Sequence, residues 1–318
     1  MLKSSVSKLF NIKYPIIQGG MAHVSRAELA AAVSNAGGLG LLGSSSMTPE
    51  ELKEEIQQTR KLTSKPFGVN IAIMSPEPEA KVDICINGKV GIVFTAAGNP
   101  KLYTKKLKDA GIKVAHVVPS ARLAEKAVQA GVDAVVCEGF EAGGHDGIEE
   151  LTTLTLVPLV RRAVGNLPLM AAGGISAGSQ IAAALALGAD GVQIGTLFIA
   201  TKECSAHSLF KQKIIEANET GTVFVARKYR PQRILRNPFA EKIAELDAKG
   251  ASADEIRNAY GPERGRKGAI EGDWENGYFN CGQGAALITE IKSIAEVMES
   301  LVSGVRNGAK LVSLRGMK

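Results

Sequence analysis

PLMAAGGISAGSQIAAALALGADGVQIGTLF, residues 168–198, holds one structural plan written twice. Two short apolar runs, 168–172 and 191–195, each break off at glycine, and a helical period fills 177–187 between them. Neither run alternates polar with apolar, which is how a strand covered on both faces reads. A strand, a helix and a second strand in so short a span make a parallel pair joined by a right-handed crossover.

The plan recurs toward the N-terminus. Apolar runs lie at YPIIQ (14–18), GLGLL (38–42), FGVNI (67–71), GIVFTA (91–96), KVAHVV (113–118) and DAVVCE (133–138). Helical patterns at 25–35, 49–60, 100–109 and 120–130 separate several of them. Thr48-Pro49-Glu50-Glu51 and Ser120 are expected to cap two of these helices. Eight strands spaced in this way predict an α/β protein, a closed (β/α)8 TIM barrel over residues 1–200. An open doubly wound sheet is the rival, and no GxGxxG motif follows an early strand to favour it.

Residues 201–282 break the pattern, with helical stretches, charge clusters and glycine turns but no strand–helix alternation. They are expected to form a helical lid inserted after the eighth strand. Residues 283–318 open with QGAALITEIKSIAEVMESLVS (283–303), regain a helical period, and should return to pack on the barrel.

Composition sets outer bounds. Glycine, at 35 of 318 residues, exceeds the usual ~7% and points to backbone in close approach to a ligand. The most apolar stretch, 181–189, is too short to span a bilayer, and the N-terminus lacks a long apolar signal core. Four scattered cysteines without a CxxC pair argue for a reducing, cytoplasmic setting, with neither disulfide nor zinc. The net charge of +6 gathers partly in Arg227, Lys228, Arg230, Arg233 and Arg236. That window lacks interleaved aromatics, so nucleic acid is not the expected partner.

Barrel chemistry sits past the C-terminal ends of the strands. Reading there gives Gly19, Gly20, Met21 and Ala22; Asn70; Glu138 and the loop Gly143-Gly144-His145; Gly173-Gly174; and Gln193, Gly195 and Thr196. Glycine amides after strands seven and eight, with a helix N-terminus, suit a phosphate. His23, His116, His145 and His207 lack metal-ligand spacing, so no metal site is expected. A bound organic phosphate is then the better source of reactivity. Flavin mononucleotide (FMN) fits: residues 18–22 against the ring, Asn70 and Gln193 at its polar edge, Glu138 on the ribityl hydroxyls. His145 is the candidate acid or base, because imidazole titrates near neutrality. His23 is a further candidate for the pocket wall, and Glu141 and Asp146 read as solvated loop charges.

With these residues in place, the chain resembles the FMN-dependent family of bacterial enoyl-acyl-carrier-protein reductase II and the nitronate monooxygenases (2-nitropropane dioxygenases). YPIIQGGMA, AGGLGLLG, KPFGVNI, AGNP, EGFEAGGHDG, AAGGIS and GVQIGTLF carry the resemblance, in order, from about residue 5 to 300. It implies flavin contacts at Gly20, Met21, Asn70, Glu138, Gly173, Gly174, Gly195 and Thr196, and a histidine near the flavin at His145. ILRNPF (234–239) and IEGDWENGYFNCGQGAALI (270–288) look like the reductase branch. His23, where many reductases carry tryptophan, and a longer histidine loop depart from it. The expected activity is NADH- or NADPH-dependent reduction of trans-2-enoyl thioesters in fatty acid synthesis. The alternative is a nitronate monooxygenase using O2. The resemblance further implies a homodimer and an acyl carrier protein that meets the basic window. The need for a monovalent cation stays open.

Overall fold

A computed structural model describes residues 4–261 and 263–316. The outer ends of the expected 1–200 and 283–318 segments therefore lie outside the described residues. Eight parallel strands close into a barrel: β1 (Ile16–Gln18), β2 (Gly40–Gly43), β3 (Phe67–Ala72), β4 (Ile92–Ala96), β5 (Lys113–Val118), β6 (Ala134–Glu138), β8 (Leu169–Ala172) and β9 (Gly191–Ile194). A two-residue strand, β7 (Gly144–His145), leaves the barrel after β6. Closure occurs where β1 meets β2: the Gln18 amide donates to the Leu39 carbonyl at 2.9 Å, and Leu39 to Ile16 at 3.0 Å. The open-sheet alternative is thereby excluded.

The interior is packed by Ile17, Leu41, Phe94, Val136 and Met170, alternate residues of their strands. Helix α1 (Ser5–Phe10) plugs the bottom, with Phe10 5.5 Å from Phe94. The outward residues, Val69, Val93, Val114 and Val135 among them, join the larger core under the helices. Those helices are α2 (Ala27–Asn35), α3 (Pro49–Leu62), α4 (Pro78–Asn87), α5 (Thr104–Asp109), α6 (Ala121–Gln129), α7 (Thr153–Val164) and α8 (Gly178–Ala186). Strands covered on both faces explain the unbroken apolar runs. Thr48 forms the expected capping box with Glu51, at 3.2 and 2.9 Å. Ser120 does not cap α6; its hydroxyl is buried without a partner.

After the short α9 (Thr196–Ile199), residues 201–282 are not wholly helical. Helix α10 (Ser208–Ile215) leads into an antiparallel hairpin, β10 (Thr222–Val225) and β11 (Gln232–Leu235), and β11 pairs with β7. Helices α11 (Pro238–Ala248), α12 (Ala253–Tyr260) and α13 (Arg264–Ala269) follow. The hairpin and these helices have their own core around Ile234, Phe239, Ile243 and Tyr260. The hairpin escaped sequence reading because the basic residues in and around its turn read as a charge cluster. Helix α14 (Ile294–Gly316) packs along α8 and α2.

Glycine decides that last contact. A side chain on Gly178 would run into the Leu301 carbonyl, and Gly304 sits opposite Gly178 in turn. Gly178→Ala should therefore cost ~1–3 kcal/mol, as overpacked contacts do. A thermal melt lowered by several degrees checks this; an unchanged melt would remove the close contact from the account.

Candidate active site

A cavity of about 370 Å3 opens at the C-terminal ends of the strands. Gly19, Gly20, Met21, Ala22, Asn70, Glu138, Gly143, Gly144, His145, Gly173, Gly174, Gln193, Gly195 and Thr196 all line it. His23 lines it too, in the left-handed region with φ 68°. His116 lies elsewhere, buried and bonded to Thr95 at 2.7 Å, and His207 accepts from the Leu209 amide at 3.1 Å at the start of α10.

Gln18 does not reach the cavity. It is fully buried, accepts from the Leu41 amide at 3.0 Å and donates to Ser25 Oγ at 2.9 Å. Ser25 Oγ in turn accepts from the Met21 amide at 2.9 Å, so Gln18 shapes the 19–25 loop from beneath. Gly20 is needed because a side chain there would strike Asn70.

The loop after β6 is tied to the turn after β8. Glu141 is not a solvated charge: its carboxylate accepts from the Thr153 amide at 2.9 and 3.1 Å and from the Thr153 hydroxyl at 3.2 Å. Thr153 Oγ1 also lies 3.0 and 2.9 Å from the Ala172 and Gly173 carbonyls. Gly173 and Gly174 have φ of 97° and 70°, and a Cβ on Gly173 would lie 2.6 Å from the Gly139 carbonyl. The turn therefore requires glycine.

Asp146 departs furthest from expectation. Its amide donates to the Pro231 carbonyl at 3.1 Å, pairing the loop with the hairpin, while both side-chain oxygens are sealed without a partner. Desolvation, followed by the charge of Glu138, pushes this carboxyl up to about 9, and Arg233 and Glu141 act in opposite directions on it. Asp146 is thus a neutral acid at pH 7. Burial likewise raises Glu138 to about 7. His145 is open to the cavity but walled by protein. Desolvation and then Arg230 lower it, against a backbone hydrogen bond at Pro231, which favours neutral imidazole.

Arg233 shows what the sequence window concealed. It is buried 4.4 Å from the Phe140 ring and donates to the Phe140 carbonyl at 3.0 Å. It is a structural strut between hairpin and barrel and is not available to a partner. Sequence reading also missed Phe210, Gly265, Tyr278 and Asn280, which line the cavity from the 201–282 segment. No strand register before the fold could bring them there.

The residues present fit FMN. The amides of Gly173, Gly174 and Ile175 on one side, and of Gly195 and Thr196 on the other, donate no hydrogen bond among the described residues. They form a donor set suited to a phosphate. The helix N-terminus contributes less than expected, because Gln180 Oε1 already accepts from Ser176 and Ala177 at 2.8 and 3.0 Å. Among the described residues no group of three or more His, Cys, Asp or Glu could hold a metal ion. No helix there is long and apolar enough to cross a membrane.

Residues 3–81 and 74–304 match the nitronate monooxygenase family. The chain belongs to that family. FabK of Thermotoga maritima superposes with a TM-score of 0.94 at 43% identity, over 100% of both chains. A Mycobacterium tuberculosis relative is a (3aS,4S,5R,7aS)-5-hydroxy-7a-methyl-1-oxo-octahydro-1H-indene-4-carboxyl-CoA dehydrogenase, 32% identical over 95% of each chain. A Staphylococcus aureus probable nitronate monooxygenase is 32% identical over 90% of this chain and 93% of its own. Members of this family, FabK included, are FMN enzymes, and the chain is an oxidoreductase of that flavin-dependent kind.

The buried acid makes a prediction about pH. The folded state keeps a proton on Asp146 that the unfolded chain releases near the ordinary carboxylate value. Stability should then fall as pH rises from about 4 toward 9. Asp146→Asn removes that slope, so its melting temperature should gain on the wild type between pH 5 and 8. Parallel melting curves for the two proteins would contradict a neutral Asp146.

Proposed function

We propose that this chain reduces the double bond of 2-enoyl thioesters with NADH or NADPH, as an enoyl-acyl-carrier-protein reductase II. One observation carries the reading: the likeness to FabK spans the whole chain, including the 201–282 segment that roofs the cavity. The Mycobacterium tuberculosis relative is named a carboxyl-CoA dehydrogenase, so its named substrate is a CoA thioester as well. When bound, FMN supplies the hydride chemistry.

The chain's own residues do the rest. The glycine amides at 173–174 and 195 would hold the FMN phosphate, with Asn70 and Gln193 toward the ring's polar edge and Glu138 toward the ribityl hydroxyls. His145 faces the same space from β7. Held neutral, it positions the thioester carbonyl by donating an N–H hydrogen bond to it. The roof from 210 to 284 limits water around that group.

A second reading, nitronate monooxygenase, draws support from the family description and from the Staphylococcus aureus relative. There His145 would orient a small nitronate anion or act as base.

Anaerobic mixing separates the two. A reductase loses its flavin colour with NADH and regains it with crotonyl thioester. Rapid oxygen uptake with propionate 3-nitronate, without nicotinamide, would overturn the reductase reading. His145→Gln should lower kcat by ~10^2–10^4 while FMN content stays at the wild-type level; full activity would remove His145 from the chemistry.

A further inference from the structure

The basic window 227–236 divides sharply once folded. Arg227 pairs with Glu150, Lys228 Nζ donates to the Gly250 carbonyl at 2.7 Å, and Arg236 pairs with Glu241 at 2.7 Å. Arg233 is the buried strut between hairpin and barrel. Arg230 differs from all four. It is exposed, and its guanidinium makes no ion pair and donates no hydrogen bond among the described residues. The Tyr229 ring centre lies 6.0 Å from it, at the outer limit of a cation–π contact.

The hairpin fixes where that charge sits. β11 pairs with β7 so that Gln232 lies opposite His145, and the Asp146 amide bonds to the Pro231 carbonyl at 3.1 Å. Arg230 is the next residue, held by its own amide on the Ala226 carbonyl at 2.9 Å, in a turn where Ala226 takes φ 60°. Its charge acts on two residues of the cavity wall, His145 and Tyr278. Arg26 and Arg266 act on His23 across the opening, but each has a carboxylate partner, Glu55 and Glu271. An unpaired arginine fork on the hairpin turn, one residue from the Pro231–Asp146 hydrogen bond that joins that turn to the cavity wall, suits one ligand chemistry above others, the phosphate.

We infer that Arg230 is a phosphate-binding residue at the cavity rim, gripping the phosphate that a substrate carries outside while its reacting end lies beside His145. The inference rests on the thioester-reductase reading. Two substrates of that reaction carry phosphates: the pantetheine arm of the acyl thioester and the nicotinamide nucleotide. The acyl thioester is the expected source, because its phosphate lies at the far end of a flexible arm from the reacting carbons.

Kinetics of Arg230→Ala and Arg230→Lys on the FMN-loaded enzyme test this with crotonyl-CoA and phosphate-free crotonyl-pantetheine. The ratio of KM for crotonyl-CoA to that for crotonyl-pantetheine should rise about tenfold in the alanine variant and largely recover in the lysine variant. CoA binding, measured by calorimetry without turnover, should weaken in parallel and depend on salt. A rise in KM for NADH with either thioester, at a constant thioester ratio, would assign the phosphate to the nicotinamide nucleotide and overturn the acyl-arm source. Unchanged KM ratios, unchanged NADH values and unchanged CoA affinity would overturn the role of Arg230. Arg230-dependent CoA binding in a protein that cannot reduce either thioester would uphold the residue's role and sink only the reductase reading.

Discussion

The cavity depends on one hydrogen-bonded knot, the carboxylate of Glu141 on the amide and hydroxyl of Thr153. Thr153 opens α7, and its hydroxyl also touches the carbonyls of Ala172 and Gly173. Loop, helix and glycine turn are therefore fixed by a single side chain on each side. A charged acceptor on a backbone donor is among the stronger hydrogen bonds available to a protein. Without it the Gly173-Gly174 turn and the histidine loop, which come from different strands, would be free to move apart.

Built on that knot, the site has two unlike halves. The glycine half, at 173–174 and 195, offers backbone donors and little else, a surface that recognises charge and shape. The opposite half is titratable: His145 and Asp146 on consecutive residues, with Glu138 beneath. Burial pushes all three toward their neutral forms. On the proposed reading, a wall of groups pushed toward neutrality beside a cradle of free amides would keep a negatively charged cofactor at one end and leave the other for hydrogen-bonding chemistry.

The hairpin of residues 222–235 links those halves to the roof. It pairs with β7 through backbone bonds and is braced by Arg233 against Phe140. One short sheet therefore sets the pose of His145 and closes the cavity, and its turn holds Arg230, exposed and without an ion pair among the described residues.

Much of this was legible in the residues alone. Continuous apolar runs alternating with helical periods marked the eight strands, because strands buried on both faces read that way. Strand ends in a barrel all point the same way, so the residues past them converge, and Asn70, Glu138, His145 and Thr196 could be named before any contact was known. Tertiary structure alone decided what the charges do. Glu141, Asp146 and Arg233 are polar letters in a loop-like sequence, and whether each meets water, an amide or an aromatic ring depends on segments 12 to 93 residues away. The hairpin, the caps that form or fail, and the separation of Arg230 from its basic neighbours belong to the same class. Pattern reports which residues lose water on both faces of an element; only packing reports which polar groups find a partner once the water is gone.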